Sequence, residues 1–135
     1  MALEATMKAD ADARPAVAAL LHEYFDGLHF SDTQRLRRVF HRQAVYASAT
    51  GGTALILRMD AYFARVDQRP SPASRGDART DRILSIDFVG PVTALAKVQC
   101  SILPMHFTDL LTLIHIDDRW QIIAKVFHYE VTAGA

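Results

Sequence analysis

The second half of the chain consists of long apolar runs separated by short turn signals. Four of these runs are rich enough in β-branched and aromatic residues to predict strands, over Arg82–Val89, Val92–Leu103, His106–Ile116 and Trp120–Val131. The breaks between them are Gly90-Pro91, Pro104 and Asp117-Asp118, which favour turns. Strands joined so closely pair antiparallel, because a parallel crossover needs about a dozen residues or more.

The first half of the chain shows helical spacing instead. From Pro15 to Leu28, apolar residues recur three and one apart, which predicts a first helix that begins at the proline. Ser31 and Asp32 are both good N-cap residues, and Gln34 stands at capping-box spacing from Ser31. A short second helix is therefore expected to follow.

Two short strands and a third helix are predicted in the middle of the chain. Ala44–Ala49 and Ala54–Leu57 form the strand pattern, and the glycine pair between them favours a hairpin turn. The third helix opens at Asp60 and ends before the proline at position 70, because the residue before a proline resists helical geometry. The loop Pro70–Ala78 that follows has two open interpretations, a rim or lid over a site and a mobile connection.

The order of these elements predicts one α+β domain. Residues 1–14 are alanine-rich and charged and are expected to be a flexible N-terminal extension, whereas residues 15–131 are expected to form the domain. Three helices in the first half precede a strongly curved antiparallel sheet.

Composition excludes several classes of protein. Fifteen basic residues balance fifteen acidic ones in 135 residues, so neither nucleic acid nor membrane is an expected partner. The single cysteine, Cys100, cannot form an intrachain disulfide and is expected to be a buried small hydrophobe. No apolar run is long enough to span a bilayer, and the first residues lack the basic start of a signal peptide, which predicts a cytoplasmic protein.

Several phrases of the sequence resemble a known superfamily. The segments Tyr24–Leu28, Leu36–His41 and Ala44 are similar to the first two helices and first strand of nuclear transport factor 2-like (SnoaL-like) proteins. Phe107–Asp109 and Arg119–His128 resemble the closing strands of its putative lumazine-binding branch. The resemblance implies a cone-shaped, cystatin-like fold whose sheet surrounds a cavity that the helices close. It also implies a homodimer through the outer face of the sheet.

The long third strand of the predicted meander supports a covered outer face. Leu111 and Leu113 lie on one phase of its alternation, and Leu110 and Ile114 lie on the other. A sheet with one wet face alternates cleanly, so two apolar phases indicate that both faces are covered. A second copy of the chain is the simplest cover for the outer face.

The resemblance also carries expectations about chemistry. Steroid isomerases of the superfamily have a tyrosine and two carboxylates, and the matching positions here are Tyr24, Ser48 and Thr112. The tyrosine is retained and both carboxylates are missing, so steroid-type isomerisation is not expected. Asp109 is assigned to the outward phase, where it would order the backbone or pair with an arginine.

Lys125 is the most informative candidate. The phase of Phe127 is predicted to face the cavity, which would place an ammonium in an apolar pocket where desolvation lowers its pKa. Such a lysine would bind an anion or act as a base or nucleophile, and the alternative is a buried stem whose head reaches the rim. The phase of Leu110, which includes His106, is also assigned to the cavity.

The expected site follows from these assignments. Ligand-binding residues are predicted to be Tyr24, His41, Tyr46, Phe63, Leu110, Thr112, Lys125 and Phe127. Candidates for proton transfer are Lys125, His106 and Tyr24. No spacing typical of a metal site is present, and no cofactor is expected.

Three functions remain open at this point. The first is a small-molecule-binding protein with an apolar cavity and an unknown ligand. The second is a cyclase, isomerase or dehydratase that uses a pocket lysine or histidine for proton transfer. The third is a homodimeric interaction module without a ligand.

Overall fold

The computed structural model describes residues 2–132, apart from the side chains at positions 2 and 5–9. Three α-helices and six strands follow one another as α1 (Ala2–His29), α2 (Thr33–Val39), β1 (Phe40–Ser48), β2 (Leu55–Arg58), α3 (Met59–Gln68), β3 (Arg82–Phe88), β4 (Thr93–Ile102), β5 (Met105–Ile116) and β6 (Arg119–Val131). The predicted α+β class is confirmed, with all three helices in the first half. None of the helices within residues 2–132 is long and apolar enough to cross a membrane.

The six strands form one open, curved sheet in the order β2-β1-β6-β5-β4-β3. Neighbouring strands pair antiparallel, as predicted, except that β1 and β6 are parallel. The expected tight turns are present. Gly51, Gly52, Asp117 and Asp118 all have positive φ, the geometry that two-residue hairpins require.

Helix α1 begins at Ala2 and runs through Pro15, so the prediction that it begins at the proline is wrong. A proline removes one backbone hydrogen bond, but the flanking alanines are strong helix formers. Arg14, one residue earlier, also ties the helix to the sheet by donating a hydrogen bond of 3.0 Å to the carbonyl of Ile86. Residue 1 of the predicted extension lies outside the described residues, and the domain boundary at residue 15 stays a prediction.

Helices α1 and α2 meet at a tight contact. Asp32, the N-cap of α2, accepts hydrogen bonds of 3.1 and 3.3 Å from the first-turn backbone, so it forms the cap rather than Ser31. A Cβ atom on Gly27 would lie 2.6 Å from Cδ2 of the buried Leu36. Glycine therefore allows α2 to approach α1 this closely.

The long connection between α3 and β3 is fastened to α1. Arg79 forms ion pairs with Asp26 of α1 at 2.9 Å and with Asp81 at 2.7 Å. A single 3-10 turn, Ala73–Arg75, lies within the loop. Its role as a lid stays a prediction.

A bulge in β6 decides which side chains point inward. The register between β5 and β6 shifts at Ile123, which has no partner on β5. Ile122 and Lys125 are three residues apart, yet both are buried against the helices because of this shift. Lys125 therefore faces inward, as predicted.

Candidate ligand-binding site

The curved sheet and the second half of α3 border a cavity of about 560 Å³. Tyr46 and Phe127, both predicted site residues, line it. The remaining wall combines aromatic rings with polar groups nearer the opening, from Tyr62, Phe107 and Tyr129 and from Ser48, Thr50, Arg65, Gln68 and Arg69.

Flat aromatic rings dominate the cavity wall. The ring of Tyr46 stacks on Tyr62 with centroids 4.8 Å apart and meets Phe127 edge-on at the same distance. Phe107 continues the wall, with its centroid 5.6 Å from Phe127 and 5.7 Å from Tyr129. A pocket of this kind accommodates planar ligands, because aromatic faces and edges pack well against other rings.

Lys125 lies beneath this wall. It is 5% exposed, and its Nζ donates one hydrogen bond, of 3.3 Å, to the hydroxyl of Tyr62. The rings of Tyr24, Tyr46, Tyr62 and Phe127 all have centroids between 5.1 and 5.6 Å from Nζ, a cation–π cage. The alternative in which the head of this lysine reaches the rim is therefore wrong.

The pKa of Lys125 shifts in the direction opposite to the one that the sequence predicts. Burial lowers the pKa of its ammonium group, but the Tyr62 phenol and the Asp109 carboxylate together raise that pKa above the ordinary lysine value. The predicted lowering considered desolvation alone, because Asp109 was assigned to the other face. Lys125 is thus an ammonium ion at neutral pH and a donor of charged hydrogen bonds rather than a free amine.

Asp109 is the acidic partner in this interior. It is fully buried, and its Oδ2 accepts a hydrogen bond of 2.6 Å from the hydroxyl of Tyr24. Burial raises the pKa of its carboxyl group, while Lys125 and the Tyr24 hydrogen bond oppose that rise. Its other oxygen, Oδ1, has no hydrogen-bond partner within the described residues. A buried carboxylate with a raised pKa and a free oxygen has the properties of a general acid or base.

Tyr24 is fully buried and does not line the cavity, so the prediction that it contacts a ligand there is wrong. Burial and the neighbouring Asp109 carboxylate raise the pKa of its phenol well above the ordinary value. The group is therefore a neutral hydrogen-bond donor, and its role is to position Asp109.

The predicted phase of β5 is wrong. Leu110, Thr112 and His106 were assigned to the cavity, and Asp109 to the outside, but Leu110 is 41% exposed and Asp109 is fully buried. Cross-strand partners share a face of the sheet, and the inward-facing Lys125 pairs with Leu111. Leu110, the residue before Leu111, therefore points outward. His106 lies at the exposed end of the strand and hydrogen-bonds Thr132 there, so proton transfer in the cavity by His106 is excluded.

His41 and Phe63 line a different cavity. Strand β1 begins at Phe40, so His41 lies at the far end of that strand from Tyr46. The prediction that His41 belongs to the same ligand site as Tyr46 and Phe127 is therefore wrong. Phe63 is buried and directly follows Tyr62 on α3, but of these two only Tyr62 lines the interior cavity.

Most of the residues that form the site are absent from the predicted set, and Tyr62, Asp109 and Arg69 are the most important of them. Tyr62 is not among the predicted site residues, and Asp109 is predicted to lie outside. Arg69 follows α3 and has a buried Nε without a partner within the described residues. A usable signal existed for Asp109, since it is the only charged side chain apart from the histidines between Met105 and Ile116.

The described residues contain neither a group of side chains arranged to bind a metal nor an exposed thiol. Within residues 2–132, no group of three or more His, Cys, Asp or Glu side chains is arranged to hold a metal ion. The Cys100 thiol is buried, and burial followed by the Asp109 carboxylate raises its pKa well above the ordinary value. Cys100 is therefore an inert packing residue.

An open curved sheet, three helices on its inner face and a polar cluster under an aromatic cavity define a protein of the nuclear transport factor 2-like fold. The chain belongs to the putative lumazine-binding family, whose pattern matches residues 12–128.

Known proteins agree with this assignment. The aldolase FrzH from a Cladobotryum species is 25% identical over 115 residues, covering 84% of this chain and 88% of that protein. A nuclear transport factor 2-like protein of unknown function from Shewanella baltica superposes with a TM-score of 0.81 at 22% identity, covering 90% and 97% of the two chains. A putative scytalone dehydratase from Novosphingobium aromaticivorans superposes with a TM-score of 0.73 at 15% identity, covering 96% and 91%. The two structural similarities show the fold.

Proposed function

We propose that the protein binds a small planar organic molecule that carries an acidic or carbonyl oxygen. The observation that carries this proposal is the aromatic cavity of about 560 Å³ above the buried ammonium group of Lys125. That ammonium group has three N–H donors and uses one of them on Tyr62. Lys125 does not itself line the cavity, so a ligand oxygen would take a second donor only by reaching past the rings of Tyr62 and Phe127.

The charge around the cavity favours an electron-rich ligand. Arg65 and Arg69 stand at the opening, Lys125 lies beneath it, and Asp109 is the one carboxylate among the described residues of this interior. The excess of positive charge attracts anions, and the unpartnered Nε of Arg69 is a further donor. An aromatic carboxylate, sulfonate or phenolate would satisfy both the rings and the charges.

Binding of a fluorescent probe tests this proposal. The probe is 8-anilinonaphthalene-1-sulfonate, which combines flat aromatic rings with an anionic group, and the variant is Lys125→Met, which keeps the length of the side chain and removes its charge. Loss of a charge-assisted hydrogen bond is expected to weaken binding by about tenfold or more. The matched control is Lys97→Met on the exposed outer face, which is expected to leave affinity unchanged.

Circular dichroism and urea unfolding establish whether both lysine variants are folded. A folded Lys125→Met variant that binds the probe as tightly as the parent would refute the proposed site. Equal weakening in the Lys97→Met variant would place the probe on the outer face of the sheet instead.

A second candidate function, an enzyme of the lyase or isomerase kind, is favoured by Asp109. Its unpaired Oδ1 would accept a proton from the carbon beside a ligand carbonyl, and the Lys125 ammonium would stabilise the resulting enolate oxygen. FrzH is described as an aldolase and the Novosphingobium protein as a putative dehydratase, and these names support this candidate.

Deuterium exchange tests the enzymatic candidate without knowledge of the natural substrate. Acetophenone, an aromatic ketone, is incubated with the protein in heavy water, and loss of its methyl proton signal is followed by nuclear magnetic resonance. Acceleration is expected with the parent chain and with Asp87→Asn, an exposed control, and not with Asp109→Asn. If neither the parent nor the control accelerates exchange, acid–base catalysis on this substrate class is rejected and binding alone remains.

An interaction module without a ligand is the least supported of the three functions. That function requires an interior filled by side chains, whereas the cavity here has open volume.

A further inference from the structure

A second cavity, of about 720 Å³, includes the beginning of α3 in its wall, and none of the residues that line it lines the interior cavity. Four arginines line it, and we call it the basic cleft. They come from four different elements: Arg37 from α2, Arg42 from β1, Arg58 from β2 and Arg119 from β6. The fold, rather than one cationic stretch of sequence, brings these charges together.

The charges in the basic cleft are not neutralised. The cleft also contains the carboxylates of Asp60 and Asp117, which leaves an excess of two positive charges in a chain whose formal net charge is zero. Within the described part of the chain, none of the four arginines forms an ion pair with a carboxylate within 4.0 Å. Asp60 uses one of its oxygens on the backbone N–H of Ala61, at 2.9 Å.

One arginine of the cleft is held in place by neutral groups. Arg119 donates a hydrogen bond of 2.6 Å to the carbonyl of Arg38 and one of 3.3 Å to the side-chain oxygen of Gln121. Gln121 is itself buried and donates to the carbonyl of Ile116 at 3.2 Å. The guanidinium is thus oriented by partners that leave its charge intact, which lowers the entropy cost of binding an anion.

Two further features direct positive charge into the same cleft. The guanidinium of Arg37 lies over the ring of the buried Phe63, 4.7 Å from its centroid, which restrains it without neutralising it. Helix α3 begins at Met59 in the wall of the cleft, and its N-cap residue Arg58 makes no side-chain capping hydrogen bond. The positive end of the helix dipole therefore lies at the cleft, although the Asp60 carboxylate already accepts the backbone N–H of Ala61 there.

We propose that the basic cleft binds the phosphate or pyrophosphate group of a small phosphorylated molecule. Guanidinium groups pair with phosphate oxygens through two parallel hydrogen bonds, and several arginines around one site match a multiply charged group better than a single carboxylate. The site goes beyond the proposed function. The first two residues of α3 line the basic cleft, whereas Tyr62, Arg65 and Arg69 line the interior cavity.

Calorimetric titration with inorganic pyrophosphate at physiological ionic strength tests this proposal. The variants are Arg119→Gln and, because Arg119 also bonds to the backbone of a neighbouring element, Arg42→Gln, which has no such contact within the described residues. Each is expected to weaken saturable binding by about tenfold, since each removes a charge-assisted contact. The matched control is Arg82→Gln, an exposed arginine on β3.

The control variant is expected to bind pyrophosphate within about twofold of the parent, because general attraction between exposed charges is weak and screened by salt. Two results would overturn the proposal. One is the absence of saturable binding to the parent chain, and the other is equal weakening by Arg82→Gln and Arg42→Gln.

Discussion

Asp109 and Lys125 are predicted to be energetically coupled although no ion pair within 4.0 Å joins them in the described chain. Both are buried, and each is hydrogen-bonded to a tyrosine hydroxyl, Asp109 to that of Tyr24 and Lys125 to that of Tyr62. The perturbation is a double-mutant cycle of Asp109→Asn, Lys125→Met and the combined variant. The measured quantity is the free energy of unfolding in urea.

An upper limit for the coupling follows from Coulomb's law. Two unit charges about 4 Å apart at an effective dielectric constant of ~20 attract by about 4 kcal/mol, and the coupling of Asp109 and Lys125, which are farther apart, is expected to be smaller than that. Asp109→Asn leaves a buried ammonium without a counter-charge and is expected to destabilise by about 3–5 kcal/mol. Lys125→Met is expected to cost less, because the already raised pKa of Asp109 allows that carboxyl to take up a proton. The combined variant should then be close in stability to Lys125→Met.

The pH dependence distinguishes charge coupling from packing. The pKa of Asp109 is higher in the folded protein than in the unfolded chain, so its ionisation destabilises the fold as pH rises between those two pKa values. Its attraction to Lys125 exists only above the folded pKa and disappears as pH falls through it. The coupling energy is therefore expected to be smaller at pH 4 than at pH 7. Additivity within about 0.5 kcal/mol at pH 7 would refute the reasoning.

Three further changes have defined outcomes. Tyr24→Phe leaves Oδ2 of Asp109 unpaired and should lower the free energy of unfolding by about 1–3 kcal/mol at pH 7, whereas an unchanged urea midpoint would contradict the bond. Gly27→Ala should destabilise by about 1–3 kcal/mol despite its better helix propensity, because the new Cβ meets Leu36, and a stabilised variant would show that the contact yields. The homodimer stays a prediction, and Leu110→Lys on the outer face should convert it to a monomer in sedimentation, with a parent chain that is already monomeric ruling it out.

Most strand boundaries could be predicted from the sequence, because turn residues stand at the ends of the strands in the second half of the chain. Gly90, Pro104 and the pair Asp117-Asp118 end apolar runs at places where the chain reverses, and the four strands of the second half lie within two residues of the predicted ones. Strand β1 has no such turn residue before it, and it begins at Phe40, well before the predicted Ala44. The start of α1 was not readable, because a proline inside a helix looks the same in sequence as a proline at its first turn.

The inward face of β5 could not be derived from the alternation of residues. Both phases of this strand contain leucines, so hydrophobicity alone does not distinguish them. The bulge at Ile123 adds a second ambiguity, because one extra residue reverses the phase of everything on one side of it. Only the pairing of β5 with β6, a contact through tertiary structure, places Asp109 and Leu111 inside and Leu110 outside.

The location of Asp109 and Lys125 is difficult to explain by stability alone. Burying two charges is costly, and pairs of this kind are often replaced by apolar residues of similar size with no loss or even a gain of stability. Both residues interrupt strands whose other inward side chains are apolar or aromatic, and one oxygen of Asp109 remains unsatisfied. A protein that only needed a packed interior would be served better by leucine and methionine. The cost becomes understandable if a ligand in the cavity supplies the missing hydrogen bond, and this is why the probe-binding and exchange experiments are directed at these two positions.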